Sequence, residues 1–185
     1  MSHRALEYVR QRLWSEEQWV IYERTLSDGI SFPRAIVTRR ELGLRELVEL
    51  GYFKALEFPD ALRSRIDSGN LCHGFFEGDR LATIGWSSPG YLELDVDLRV
   101  PCPNSIGMYD FLTYKEFRSK GYYTNALNQL LAVMSHAGYS KALIAVSPNN
   151  SSSRRGIEKA GFRQALRVMR RARFGVREIY REELV

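Results

Sequence analysis

The segment Phe117 to Tyr123 (FRSKGYY) sets two cations and a glycine directly before a run with helical spacing, Leu127, Leu130, Leu131 and Met134. The apolar stretch ahead of it, Ser105 to Thr113 (SIGMYDFLT), reads as a strand. A strand that turns through a short basic loop into a helix leaves the first N–H groups of that helix without internal acceptors. Together with the helix dipole, those groups attract phosphate or another anion. Arg118 and Lys120 add positive charge at the same place, and Gly121 allows a ligand to approach the backbone closely. Other chemistries lack their residues. The three histidines and two cysteines have no metal-ligand spacing. No Gly-x-Ser-x-Gly elbow is present, and no glycine cluster follows an early strand as a dinucleotide fold requires.

The elements that position this turn follow from the hydrophobic pattern. Trp19 to Leu26 has the content of a strand, ended by Ser27-Asp28-Gly29. His3 to Trp14 reads as an amphipathic helix, Arg34 to Thr38 as a short strand, and the segment from Glu41 to Gly51 as a helix. Another helix is expected within Ala55 to Ile66, its start limited by Pro59. Leu71 to Glu77 and Arg80 to Ser87 flank Gly78-Asp79 and read as a hairpin, the glycine supplying the positive φ that tight hairpin turns often need. Tyr91 to Val100 alternates, with Leu92, Leu94, Val96, Leu98 and Val100 on one face, and reads as one half-buried strand. After the central helix, which fades at His136 to Gly138, come a strand over Lys141 to Ser147 and a helix over Ser151 to Ala160 capped by Gly161. Two final strands are expected around a turn at Ala172 to Gly175. The result is an α/β chain with a mostly antiparallel sheet and one crossover helix between neighbouring strands.

The chain has 185 residues, enough for one core of ordinary size, and no composition shift marks a domain boundary. No run of about eighteen apolar residues suggests a membrane span. The N-terminus lacks a signal-peptide core, and Cys72 and Cys102 do not make a disulfide scaffold, so a cytoplasmic location is expected. The net charge is +5, with arginines crowded late, at 163, 167, 170, 171, 173, 177 and 181. Such a face suits a phosphate-rich partner or a solvated surface; no nucleic-acid-binding module accompanies it, so nucleic acid is not the expected partner.

The turn resembles the acyl-CoA-binding motif of the GNAT N-acetyltransferases, Arg/Gln-x-x-Gly-x-Gly/Ala, with Arg118 and Gly121 at its first and fourth positions and Tyr123 in place of the final small residue. Asn150-Ser-Ser-Ser153 followed by Lys159-Ala-Gly161-Phe162 resembles the family's second signature. The resemblance covers Gly69 to Phe162 well; residues 1–68 are a variable N-terminal part and 163–185 supply C-terminal strands, all in a single N-acetyltransferase domain. It implies an acyl-CoA N-acyltransferase fold, a mixed, mostly antiparallel central sheet flanked by helices, and acetyl-CoA as the acyl donor. The donor's pyrophosphate would lie on Arg118, Ser119, Lys120, Gly121, Tyr122 and Tyr123. Phe111, Leu112 and Thr113 would offer backbone N–H groups to the acyl carbonyl. Asn150 and Ser153 would anchor the following helix and the cofactor arm, although Asn150 reads equally as a simple helix cap.

The implied reaction is attack of an amine on the acyl carbonyl. Asp110, between apolar neighbours, is the first candidate for general base, with its pKa expected to rise on partial burial; Glu116 is a second, and Asp95, Asp97 and His73 are weaker ones. Many relatives place a tyrosine proton donor where this chain has Ile157, so Tyr180, another residue or solvent must protonate the leaving thiolate. The expected acceptor is a small-molecule primary amine, with an amino sugar as one option. Transfer to a protein is an alternative, as is a non-catalytic CoA-binding or interaction module. Homodimerisation is an expectation of the resemblance alone.

Overall fold

The computed structural model describes residues 14–26, 35–52, 54, 57–95, 97–173 and 176–183. The helix expected over His3 to Trp14 lies outside the described residues except for Trp14, which begins a strand. Eight strands form one sheet: β1 (Trp14–Thr25), β2 (Thr38–Leu42), β3 (Leu71–Glu77), β4 (Arg80–Asp95), β5 (Leu98–Thr113), β6 (Lys141–Val146), β7 (Arg163–Arg173) and β8 (Val176–Glu183). Among the described residues the bounded α-helices are α1 (Leu44–Glu49), α2 (Pro59–Asp67), α3 (Tyr122–His136) and α4 (Ser151–Lys159). The strand order is β2-β3-β4-β5-β6-β1-β7-β8. Every neighbouring pair is antiparallel except β5 and β6, which α3 connects as a crossover.

The period-two pattern of the strands divides the apolar side chains between the two faces of the sheet. Val20 and Tyr22 pack with Ile106, Met108, Ile144 and the α3 residues Ala126, Leu127, Leu130, Leu131 and Met134. Ile21 faces the other way, into a core of Leu47 from α1, Leu62 from α2, Trp86, Leu92 and Tyr109. Each fully buried leucine on α3 contributes about 1.5–3 kcal/mol relative to exposure. Pro59 occupies the first turn of α2, where its missing N–H costs nothing.

Two expected elements are corrected. The short strand lies at Thr38–Leu42 rather than Arg34 to Thr38; residues 36–37 form a bend, and Arg34 is outside the described residues. The alternating stretch Tyr91 to Val100 is two strands: Leu92 pairs with Val100, Glu93 with Arg99 and Asp95 with Leu98. The reversal between Asp95 and Leu98 by itself would switch the parity of the faces, but the register shift between Glu93 and Asp95 restores it, so Leu92 and Val100 share a face and the hydrophobic alternation runs through the turn. Pro101 and Pro103 therefore lie within β5, where pairing with β4 is irregular between Pro89 and Tyr91.

The parallel pairing of β5 with β6 covers only Ser105 to Met108 against Lys141 to Ile144. Beyond Met108 the two strands part. A bulge sits at the same place: Ile84 pairs with Leu112 and Trp86 with Tyr109, so β5 carries one residue more than β4 there. Asp110 has φ 55°, a left-handed conformation that bends the strand away from its former neighbour. Gly85 faces this bulge, and a Cβ on it would overlap the Phe111 ring. The wedge between β5 and β6 is thus built by a bulge, a glycine and the end of a short parallel ladder.

Candidate active site

The helix that crosses from β5 to β6 opens at the wide end of this wedge. Gly121, at φ 83°, is the N-cap of α3, and Ser119 is also left-handed at φ 60°. The Asn125 N–H bonds to the Gly121 carbonyl at 3.0 Å, so the N–H groups of Tyr122 to Thr124 are the first-turn donors that lack an intrahelical acceptor. The Arg118 Nε donates to the Thr113 carbonyl at 2.9 Å and ties the turn to the end of β5. Phe117 and Tyr122 pin it from beneath, with ring centroids 5.2 Å apart and the Tyr122 hydroxyl donating to Glu77.

A groove of about 580 Å³ lies over this turn. Phe111, Leu112 and Thr113 form one wall, Arg118, Ser119, Gly121, Tyr122 and Tyr123 the floor, and Asn150, Ser153, Arg155 and Lys159 the far side. Asn150 does cap α4, its Oδ1 accepting the Ser153 N–H at 3.0 Å, and it lines the groove as well. Arg155 and Lys159 add cations beyond those of the basic turn, and their i, i+4 spacing on α4 is the signal of them in the sequence. Lys120 is exposed and is not among the lining residues.

A second cleft, of about 410 Å³, continues from the first through Phe111, Tyr123, Asn150 and Ser153, which line both. Its walls are Trp19 from β1, Glu93 to Asp95 from β4, Tyr109 to Phe111 from β5, Ile144 to Ser147 from the end of the parallel ladder onward, and Lys54 and Arg65. At the junction the Tyr123 hydroxyl lies 3.0 Å from Ser153 Oγ, and its ring meets Phe111 edge-on at 5.8 Å. The ring also rests on Gly156, where a Cβ would overlap it. Burial pushes the Tyr123 phenol up to about 12, eased by the Ser153 hydrogen bond, so it stays protonated at neutral pH. Tyr123 therefore fills the gap that a small motif residue would leave open. Ile157, one residue past that glycine, is fully buried in the core.

The cleft is charged. Asp110 Oδ2 accepts from Lys54 Nζ at 2.6 Å and from Arg65 Nη1 at 2.8 Å. The other arm of Arg65 meets Glu93 at 2.7 Å, and Glu93, with its side chain only 4% exposed, also faces Arg99 at 3.7 Å. The Arg65 guanidinium stacks 5.2 Å from the Tyr109 ring centroid. The expected rise in the Asp110 pKa is not found. Burial pushes this carboxyl up, but hydrogen bonds and charge from Lys54 and Arg65 outweigh it and hold the group below its ordinary value. An ionised carboxylate held by two cations takes up a proton poorly and makes a weak general base.

The other acid and base candidates lie elsewhere. Glu116 is exposed, 3.6 Å from Arg80, and lines neither groove nor cleft. Tyr180 is on the edge strand β8, where it donates to Glu178 at 2.6 Å; it too lines neither. His73 is buried on β3 between Arg39 (2.9 Å) and Ser87 (2.8 Å), and burial with the Arg39 charge pulls its pKa down to about 3. Asp95 and Asp97 both engage Arg170, which also meets Glu17. Arg167, Arg171 and Arg177 pair with Glu182, Glu16 and Asp97, so much of the arginine-rich tail is answered by acids. Cys72 and Cys102 are free and buried. Among the described residues no helix is long and apolar enough to cross a membrane, and no cluster of three or more His, Cys, Asp or Glu side chains is placed to hold a metal.

A family model for the acetyltransferase (GNAT) domain matches residues 77–163, which include the bulge, the basic turn and α4. Comparison with curated proteins gives no match. Solved structures share the fold. A GNAT-family acetyltransferase from Novosphingobium aromaticivorans superposes with TM-score 0.59 at 18% identity, over 84% of this chain and 63% of its own. A GCN5-related N-acetyltransferase from Sphaerobacter thermophilus gives 0.60 at 13% identity, over 98% and 56%. An acetyltransferase from Bacillus subtilis, solved in complex with CoA, gives 0.53 at 16% identity, over 72% and 80%. The chain thus spans about three fifths of the length of the first two. The family model thus matches 87 of the 185 residues, 77–163, and the solved structures show that the chain shares the fold of GNAT acetyltransferases.

Proposed function

We propose that the chain transfers an acetyl group from acetyl-CoA to a primary amine of a small molecule. One observation carries this reading: a single groove leads from the donor-rich N-terminus of α3, through the wedge between β5 and β6, into a cleft that holds an ionised carboxylate. The groove fits an extended donor with a diphosphate at one end. Tyr122 to Thr124 offer first-turn N–H groups, and Arg118, Arg155 and Lys159 surround them with positive charge. Among the described residues the β5–β6 ladder ends at Met108, and Phe111 to Thr113 line the groove beyond it. The Bacillus subtilis protein of the same fold was solved with CoA, which supports this assignment.

Each residue then has a task. Asp110 holds the acceptor as an ammonium and orients its nitrogen; the proton leaves to water before attack. Backbone N–H groups of Phe111 to Thr113 polarise the acyl carbonyl. Tyr123, at the junction of groove and cleft, donates its phenolic proton to the departing sulfur in the role that Ile157 cannot fill. The expected acceptor is an alkyl primary amine, amino sugars included, because the cleft already accommodates the ε-ammonium of Lys54 against Asp110. Calorimetric titration with acetyl-CoA tests the donor site, and a thiol-release screen of primary amines tests the acceptor. Saturable binding with amine-dependent thiol release is expected; no binding up to about millimolar acetyl-CoA (a free energy near 4 kcal/mol) would remove the reading.

A further inference from the structure

Of the five lysines in the chain, Lys54 lines the cleft. Lys115, Lys120 and Lys159 are exposed, Lys141 pairs with Glu23 at 2.8 Å, and Lys159 rims the groove at its far end. Lys54 Nζ lies 2.6 Å from Asp110 Oδ2, with its side chain 30% exposed. Asp110 is the bulged residue at which β5 turns from β6, and its chain neighbour Phe111 lines both groove and cleft. A primary alkyl amine of the protein itself thus sits on the carboxylate proposed to receive the acceptor.

We propose that Lys54 is a self-acetylation site, its Nζ serving as the acceptor for an acetyl group delivered into the cleft. The proposal rests on the acetyl-CoA reading above. The Lys54 ammonium gives one proton to water, and the freed lone pair forms a C–N bond to the thioester carbonyl carbon. The C–S bond breaks with its electron pair on sulfur, which takes a proton from Tyr123, itself reprotonated by solvent. A second proton leaves the nitrogen, so the balance is one lysine ammonium and one thioester converted to one amide, one thiol and one free proton. The amide carries no charge, and Asp110 then keeps Arg65 as its cationic partner from this pair. The acetylated chain therefore presents a more negative cleft to an incoming ammonium than the unmodified chain does.

The test incubates the full chain with acetyl-CoA, follows intact mass, and maps the modified residue by peptide mass spectrometry, with acetyl-CoA binding measured on the same preparation by calorimetry. Direct chemical acetylation favours the exposed Lys115, Lys120 and Lys159, and the urea-unfolded chain reports that background. The expected result is one acetyl group per folded chain, on Lys54, formed at least roughly tenfold faster than on any exposed lysine. It disappears in Lys54→Arg and on unfolding, and it speeds up as pH rises because the neutral amine is the nucleophile. Binding of acetyl-CoA with Lys54 unmodified, or modified no faster than the exposed lysines, overturns the self-acetylation and leaves the proposed function standing. Failure to bind acetyl-CoA overturns both.

Discussion

The basic turn and the charged cleft occupy one continuous groove, yet they are made in different ways. The turn is a product of some ten consecutive residues: its donors are backbone groups, its shape follows from the left-handed Ser119 and Gly121, and its cations flank it in the chain or lie one helix away. The cleft is a product of distance. Lys54, Arg65, Glu93 and Asp110 come from four separate places in the chain and are held together by ion pairs, Glu93 enclosed and the others half-buried. A site made of backbone tolerates side-chain change but not conformational change; a site made of buried charges tolerates the reverse.

This contrast breaks most readily at Arg65. Replacing it with alanine leaves Glu93 and Asp110 short of their shared cation, and a loss of about 3–5 kcal/mol in unfolding free energy is expected, read as a lower urea midpoint. A midpoint unchanged by Arg65→Ala would mean that the cleft is not held by its charges. At the junction, Tyr123→Phe keeps the ring on Gly156 and removes the hydroxyl. The turnover number should fall about a hundredfold or more while calorimetric acetyl-CoA affinity stays the same; an equal fall in both would make Tyr123 a binding residue instead.

In the turn, Gly121→Val needs a β-branched residue at φ 83°. No atom lies within 4 Å of the added Cβ, so the cost is backbone strain, about 1–2 kcal/mol, with about tenfold weaker acetyl-CoA binding as the cradle shifts. Gly121→Asn, which tolerates the left-handed region, should recover most of the loss; if it does not, space rather than conformation sets the requirement.

Acid separates the cleft from the rest of the core. His73 is held neutral, with its pKa near 3, whereas the unfolded chain takes up that proton below about 6.5. Stability should therefore fall by about 1.4 kcal/mol per pH unit as pH drops from about 6.5 towards 3. The Asp110 contribution has another window: its folded pKa is lowered, so the stabilisation is complete above the ordinary carboxylate range and is lost only as pH falls through the lowered value. Denaturation curves for His73→Gln between about pH 4.5 and 6.5 should lose the first slope and retain the acid loss below about 4; a slope that persists would assign it to other groups.

Some elements were legible because their causes are local. The β3–β4 hairpin, the strand into the basic turn, α3, β6, α4 with its Gly161 stop and the last two strands all follow from period, caps and turn residues. The hairpin hidden within Tyr91 to Val100 was not legible, since alternation passes unchanged through its turn and no glycine, proline or asparagine marks it. Asp110 could be picked out as an acid on the right strand, but its proton affinity could not. Its apolar neighbours in sequence argue for a raised pKa, and the two cations that reverse the sign arrive from residues 54 and 65. Tyr180 has the chemistry of a proton donor, and only the sheet order, which puts β8 at the far edge, removes it.

The sequence by itself determined the strand-turn-helix at Arg118 to Tyr123, the cap at Asn150 and the mixed sheet with one crossover, because each depends on hydrogen-bonding groups and side-chain periods within a few residues. The tertiary structure alone decided that Tyr123 would stand at the joint of groove and cleft, that Asp110 would be an ion-pair partner, and that Lys54 would reach it. Coulombic and desolvation energies depend on what lies within a few ångströms in space, and no spacing along the chain reports that distance.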